Sequence, residues 1–474
     1  MEKPLKLKLT AYLFLSAISF SYLVLAHRGG ISVPLFVVIQ FVCLYVILPK
    51  KKPLLVLLPL FILALNAFIS ANPMWRIPNL FVAVALYSVM ALWLMGSLSI
   101  KEKAVLLFFK NMGRHMAEAL SHFPVPVKWG IETQRAHMPT IKRVAIGVGI
   151  SIPCLLFLLI MLSLADEIFA RTIHQVFSWI FRIIEIDSLW RGLLGAVAGF
   201  YLFGVIYAVY VQPHRDETSQ QGERIRRGDL MILNIVLTSV LLIYTLFVII
   251  QFRYLFARPD NLPYGLDYVQ YARRGFFELL FLTGVNILFI LLAVWLSKAQ
   301  VGKGAKLTKI LCLYLCAVTV VLLVSSFYRM WLYSSDDGLT RLRFMVFGFL
   351  IFEAVGLLFT FFYIIRPKFN IVAVYAIIAL SYYLLLNLVP MDRIIARDQI
   401  DRYFETGRGG ISYTLTLSPD AAPEIARLLE SENDHARNAA QAYFERASRF
   451  ETENWRQWNL SIHQLLQLRQ SLFT

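Results

Sequence analysis

Gln251 to Leu279, QFRYLFARPDNLPYGLDYVQYARRGFFEL, joins two long apolar runs and sets arginines among aromatic rings. The flanking runs, Leu230 to Ile250 and Phe277 to Leu296, are each long enough to cross roughly 30 Å of hydrocarbon as a helix. Without water, every backbone amide must be bonded within the segment, so these runs are helices and the stretch between them is an extramembrane hairpin.

Working outward, the same kind of run recurs at Thr10 to Ala26, Ile31 to Leu48, Leu54 to Ser70, Leu80 to Ile100, Val144 to Leu164 and Leu193 to Val211. Three more follow, Leu311 to Phe327, Phe344 to Ile365 and Ile371 to Leu388. The expected fold is therefore an all-α polytopic transmembrane bundle of about eleven helices over residues 1–388, followed by a small all-helical extramembrane unit over 389–474. Composition agrees: the 474 residues are 58% hydrophobic and only 16% charged, too little polar surface for a soluble globule. The first run ends Val24, Leu25, Ala26, which satisfies a signal-peptidase rule. The missing polar c-region and the many spans that follow favour an uncleaved helix.

All sixteen lysines fall on one side of the alternation, where the loops carry 24 basic residues against 8 acidic; the other loops before residue 389 carry 12 against 9. By the positive-inside rule the lysine side, with the N-terminus, is cytoplasmic, and an odd number of spans puts the C-terminal unit outside. That unit has 10 arginines, 12 acids and no lysine, so the formal +16 belongs to the membrane part and lends no support to a nucleic-acid partner. The cysteines Cys43, Cys154, Cys312 and Cys316 all lie in apolar runs and read as packing residues; no metal or cofactor is expected.

Two loops have helical amphipathic spacing and are expected to lie on the membrane, near 103–123 and 168–186. In the first, Phe109, Met112, Met116, Leu120 and Phe123 share a face, and Pro124 and Pro126 are expected to end it. The second has a polar stripe of Arg171, His174, Ser178, Arg182 and Glu185. Gly195 and Gly199 make a small-xxx-small spacing for a close helix contact. In the C-terminal unit, helices are expected over Arg393 to Phe404, from Ser418 to about Glu430, and near Asp434 to Phe450 and Asn454 to Leu472.

Two groups of residues are candidates for chemistry. Arg253, Arg273, Arg274, Arg329, Arg341 and Arg343 recur with aromatics in the outer hairpins. They read either as interface anchors or as a convergent site for lipid phosphate or another anion. Glu353 is the one acid well inside a span, with Glu278 and Asn286 as further candidates for an intramembrane polar site. Asn66, Asn234 and Asn387 read as partners or as interhelical glue. Tyr264, Tyr268 and Tyr271 share a helical face in the central hairpin.

Several runs resemble a bacterial family of polytopic membrane proteins known as domains of unknown function, the DUF-4173 type with its DUF-4153 relatives. They are SLADEIFA from Ser163, FVIIQFRYLF ending at Phe256, YARRGFFELL from Tyr271, SSFYRMWLYSSDDGLTRLR from Ser325, DQIDRYFETG from Asp398 and LSPDAAPEI from Leu417. The chain departs from the family at Ser334 to Asp337, SSDD, where the family has an aromatic before the Gly of the GLT run. The resemblance implies a bacterial cytoplasmic membrane and no activity. The expectation is a non-enzymatic integral membrane protein of the envelope whose outer Arg-aromatic surface and exported unit engage membrane lipids or an envelope protein. The alternative is a transporter or channel for a small or anionic solute that uses Glu353 and the outer arginines.

Overall fold

Apolar helices ordered by close contact and by polar links between helix ends build this molecule. The computed structural model describes residues 3–25, 29–48, 54–94, 113–114, 116–133, 186–211, 229–255, 276–297, 300–367, 369–450 and 454–473. The helices are α1 Lys3–Ser19, extended by a π-helical turn Phe20–Val24, then α2 Ser32–Ile47, α3 Leu58–Ile69, α4 Arg76–Leu94, α5 Pro124–Thr133 and α6 Ile186–Val211. There follow α7 Leu230–Leu255, α8 Phe276–Ser297, α9 Lys303–Asp337, α10 Arg341–Ile365 and α11 Ile371–Leu388. The C-terminal unit holds α12 Met391–Thr406, α13 Asp434–Glu445 and α14 Leu460–Phe473. Eight of the described helices are long and apolar enough to cross a membrane, and α2 and α3 are shorter apolar helices. No strand occurs among the described residues. The expected span at Val144 to Leu164 and the expected interfacial helix near 168–186 lie outside the described residues.

The first bundle is a ring in which α1 packs on α2, α2 on α3, α3 on α4, α4 on α6, and α6 back on α1. Glycines close the seam between α6 and α1. A Cβ on Gly195 would stand 2.7 Å from the Ala17 carbonyl oxygen, and one on Gly199 would stand 2.7 Å from the Ala17 Cβ. In lipid, where apolar burial gives helices little reason to associate, that closeness supplies the contact area. The second bundle is built by α7 to α11, with Leu237, Ile290, Leu315 and Leu357 in its core. Asn234 ties α7 to α9, accepting from Thr308 at 2.7 Å and donating to the Gly304 carbonyl at 3.1 Å.

The bundles meet where α3 packs on α11. There the Asn66 amide donates to the Asn387 carbonyl (2.7 Å), and Asn79 donates to the Asn387 side chain (2.6 Å). Tyr383 donates to Asn79 (2.7 Å). The asparagines thus act as interhelical glue, with Asn66 and Asn79 bonding across helices to Asn387, whose own amide donates to the Tyr383 carbonyl of its helix.

Two elements differ from the sequence expectation for identifiable reasons. The expected span at Leu311 to Phe327 is only the apolar middle of α9, a 35-residue helix about 52 Å long that overshoots the hydrocarbon at both ends. The expected surface helix near 103–123 is described only in part, and it ends at Ser121, just before the prolines expected to end it, but the chain then continues as a second helix. A turn at His122 and Phe123 is followed by Pro124 at the first position of α5, a place where its missing N–H costs nothing. The two arms wedge against α6. Phe123 lies 5.9 Å from the Phe200 ring, and Trp129 meets Phe203 and Tyr207 edge-on at 5.7 and 5.5 Å. Phe200 is roughly 16 Å along α6 from its Val211 end, so the wedge enters the bundle. Gly204 admits it: a Cβ there would stand 2.1 Å from the Ala119 carbonyl.

In the C-terminal unit, α12 runs from Met391 to Thr406, a little beyond the expected Arg393 to Phe404. The expected single helix from Ser418 to Glu430 is three short turns, Pro419–Ala421, Ala422–Ile425 and Ala426–Glu430, a second proline at Pro423 breaking the run. These turns pack Ala421, Ala422, Ile425 and Leu428 against Ile395, Ile400, Phe444 and Leu465 in one small core.

Candidate functional site

The ring of α1, α2, α3, α4 and α6 does not fill its own centre. It surrounds a half-open cavity of about 980 Å³, lined in part by Leu120 and Phe123 of the wedge and by residues of the C-terminal unit. Most of the wall is aliphatic or aromatic. The π-helical turn of α1 contributes Phe20 and Val24, in keeping with the tendency of such turns to mark sites.

Besides Asn66, Asn79 and Tyr201, the wall holds two groups of polar residues, the deeper of which, Gln40 and Tyr87, is backed by Tyr12 and Ser16. Deep in the ring, the Tyr12 hydroxyl donates to Gln40 Oε1 (2.9 Å) and lies 2.7 Å from the Tyr87 hydroxyl, and the Ser16 hydroxyl donates to Gln40 at 3.3 Å. This network satisfies itself and joins α1, α2 and α4. The second set lies at the roof: Ser70, Asn72 and Arg76 from the α3–α4 connection, Arg341 at the start of α10, and Thr416, Ser418, Arg449 and Asn459 from the C-terminal unit.

The roof is stitched down largely through backbone groups. Asn459 donates to the Ala67 and Ser70 carbonyls (3.0 and 2.9 Å), Ser461 donates to the Ile69 carbonyl (2.8 Å), and the Ile31 N–H donates to the Trp458 carbonyl (3.0 Å). Trp458 also packs on Phe68 at 5.2 Å. Asp420 accepts from the Ser70 hydroxyl and from the Ala71 N–H at 2.8 Å. On the other flank, Arg341 forks onto Asp392 with two hydrogen bonds, at 2.8 and 2.6 Å, and the same carboxylate accepts the Ser418 N–H at 2.9 Å. Gln399 donates to the Leu339 carbonyl (2.8 Å), and Asp398 accepts the Leu339 N–H (2.7 Å).

The two roof carboxylates are shifted in opposite directions. Burial works to raise the Asp392 pKa, but the Arg341 fork and the Ser418 N–H outweigh it and hold the group below its ordinary value. Burial carries the Asp420 pKa above its ordinary value in spite of the Ser70 and Ala71 hydrogen bonds.

The sequence-derived arginines do not assemble as one set around this cavity. Arg341 lines it. Arg343 is engaged elsewhere: it donates to the Gly338 carbonyl and to Asp337 at 2.8 Å, and its guanidinium lies 3.7 Å over the Tyr333 ring. Arg329 is buried on α9 and does not line the cavity, and Arg253 falls near the end of α7; Arg273, Arg274 and the tyrosines Tyr264, Tyr268 and Tyr271 lie outside the described residues. Glu353 is buried between α10 and α8, where it accepts the Thr283 hydroxyl at 2.6 Å, and it too is absent from the cavity wall. Glu278 is exposed in the first turn of α8. Asn286 accepts from Tyr244 at 2.8 Å.

Residues that sequence reasoning passed over are Arg76, Arg449, Ser418, Asn459 and Gln40. Gln40 did carry a signal, as a lone amide in the middle of an apolar run. Arg76 carried a weaker one, as the lone charge between two spans.

A multi-pass membrane protein with an amphiphilic chamber under its own C-terminal unit is the class that this architecture defines. The model of the family described as Domain of unknown function (DUF4153) matches residues 36–428, and the chain belongs to that family. No curated protein and no solved structure matches the chain.

Proposed function

We propose that the protein binds a single amphiphile, a membrane lipid or a molecule built like one, inside the five-helix chamber. The observation that carries this is the size and polarity of the chamber: about 980 Å³, at the upper end of ligand-pocket sizes, apolar over most of its wall, with its arginines at the roof. The role is binding, without catalysis. The test fills the space. Ala83→Trp and Ala198→Trp place an indole in the wall from α4 and α6. Purified in detergent, the parent protein should carry about one lipid per chain by native mass spectrometry, and each variant should carry about tenfold less. A parent free of lipid, or variants that retain it equally, would refute the reading.

The same proposal includes a place in the cell, the bacterial cytoplasmic membrane, with the N-terminus inside and the C-terminal unit outside. Lysine segregation supports it. So does the docking of the C-terminal unit on Tyr22, Ile31, Ala67 to Ala71 and the α9–α10 turn, at the opposite helix ends from Lys6 and Lys309. Glu432→Cys, on the exposed rim of that unit, should react with a membrane-impermeant thiol reagent on intact cells. Labelling that appears only after the cells are permeabilised would reverse the orientation.

A further inference from the structure

We infer that the chamber is loaded sideways from the bilayer, through a mouth between α4 and α6, so that its ligand is a lipid already dissolved in the membrane. The inference rests on the amphiphile reading above. Facing the cavity does not by itself expose a side chain: Val37 of α2 and Leu60 and Leu63 of α3 line it and are almost wholly buried. Along α4 and α6 the lining residues are outer surface as well. Ile77 and Leu80 of α4 are 66% and 39% exposed, and Leu194 and Val197 of α6 are 47% and 48% exposed. The adjoining Phe81 and Leu193 are exposed too. Among the described residues, the wall is therefore breached between these two helices.

The breach has a lower end. Further along the two helices Tyr87 and Leu202 are buried, and the Ser88 and Tyr201 hydroxyls meet at 3.0 Å across the seam. Pro73 and Thr416, exposed members of the lining, stand at the upper rim, where the C-terminal unit docks. With 19 residues, α4 is about 28 Å long, close to the thickness of the hydrocarbon, and Leu80 is only about 6 Å from its Arg76 end. The mouth thus lies in the leaflet on the side of the C-terminal unit. An opening at that depth meets acyl chains, and its lips, Ile77, Leu80, Leu194 and Val197, offer no polar group. A lipid chain can pass them without leaving hydrocarbon, whereas a ligand carried in water has first to enter the bilayer.

Exchange kinetics test this route. The full-length protein, reconstituted in vesicles of phosphatidylethanolamine and phosphatidylglycerol, receives the same lipids with deuterated chains, and the bound label is timed by native mass spectrometry after rapid extraction. Leu80→Trp with Val197→Trp narrows the mouth and should slow uptake at least about tenfold without changing the amount finally bound. Leu80→Ala with Val197→Ala widens it and should speed uptake by a few fold. Ile243→Trp, on the exposed face of α7, should match the parent. Unchanged uptake in the tryptophan pair would overturn the lateral route while the chamber reading stands. Less lipid at equilibrium in that pair would assign these side chains to holding the ligand and would overturn the route as well. A parent that carries no lipid would remove the chamber reading and this inference together. Should the tryptophan pair fail to insert, the alanine pair decides, since uptake no faster than the parent's would overturn the route.

Discussion

Asp392→Ala should destabilise the purified protein by about 3–5 kcal/mol and free the C-terminal unit from the bundle before the bundle itself unfolds. Asp392 is fully buried, takes both hydrogen bonds of the Arg341 fork and also accepts the Ser418 N–H. Removing it strands a guanidinium at 28% side-chain exposure and a buried backbone donor. Arg341→Met should cost a similar amount, since it leaves the carboxylate buried without its cation. The double variant Arg341→Met/Asp392→Leu should recover more than half of the loss, because two apolar side chains can share the space without either charge. The Ser418 N–H stays unmet and limits the recovery. Thermal unfolding followed by tryptophan fluorescence, with limited proteolysis to report release of the unit, measures both effects. A single variant within about 1 kcal/mol of the parent, or a double variant no better than the singles, would show that the pair does not latch the roof.

The same pair sets a pH dependence with a definite sign. The lowered pKa of Asp392 means that its contribution to stability is present above the ordinary aspartate value of 3.8 and lost as pH falls through the lowered folded-state value. Asp420 works the other way. Its raised pKa means that its carboxylate is a cost at neutral pH, and its favourable contribution is full below 3.8 and fades as pH rises through the raised value. Stability measured from neutrality downward should therefore rise slightly as Asp420 takes up a proton, then fall at lower pH as Asp392 does. Asp420→Asn should remove the rise and leave the fall. A fall with no preceding rise in the parent would contradict the assignment.

The apolar runs were legible because a membrane span leaves a length signature, and Gly195 with Gly199 was legible because close approach in lipid demands small residues at one-turn spacing. The chamber was not. It arises from the order in which five helices close a ring, and no run of residues encodes which helix is whose neighbour. The docking of the roof was illegible for a more specific reason. Asn459, Ser461, Asp420 and Gln399 bond to backbone groups of Ser70, Ile69, Ala71 and Leu339, and a backbone carbonyl or amide carries no residue identity to detect. The charged latch, Arg341 to Asp392, joins positions 51 apart, and each residue alone looks like an ordinary charge at a membrane boundary. Of the outer arginines, Arg341 and Arg343 show how such charges can be engaged within the protein. Arg341 is held by Asp392, a partner that sequence distance hid from view, and Arg343 by Asp337 of its own hairpin.

Gly30→Val should open the roof at its other seam while leaving the Arg341–Asp392 latch closed. A Cβ at Gly30 would stand 2.6 Å from the Arg456 carbonyl oxygen, 2.7 Å from the Gln457 carbonyl carbon and 2.7 Å from the Trp458 carbonyl oxygen. All three are backbone atoms, so no side chain can swing aside, and the turn Trp455–Gln457 has to move away from α2. The Ile31 to Trp458 hydrogen bond, the Trp458–Phe68 contact and the Asn459 bonds to α3 depend on that turn. The expected cost is about 1–3 kcal/mol from overpacking and lost contacts, concentrated in α14. Backbone amides of α14 should exchange hydrogen much faster in the variant, while those of α12 keep their protection, because Ile395 and Ile400 stay in the core and Asp392 stays paired. Bound lipid should also fall, since Asn459 and Ile462 leave the chamber wall with α14. Gly192→Ala is the matched control: a Cβ there meets nothing within 4 Å, so neither exchange nor lipid content should change. Unchanged α14 exchange in Gly30→Val would mean that α14 does not depend on this seam. Faster exchange with full lipid retention would mean that the helix ring and the Arg341 flank hold the ligand without α14.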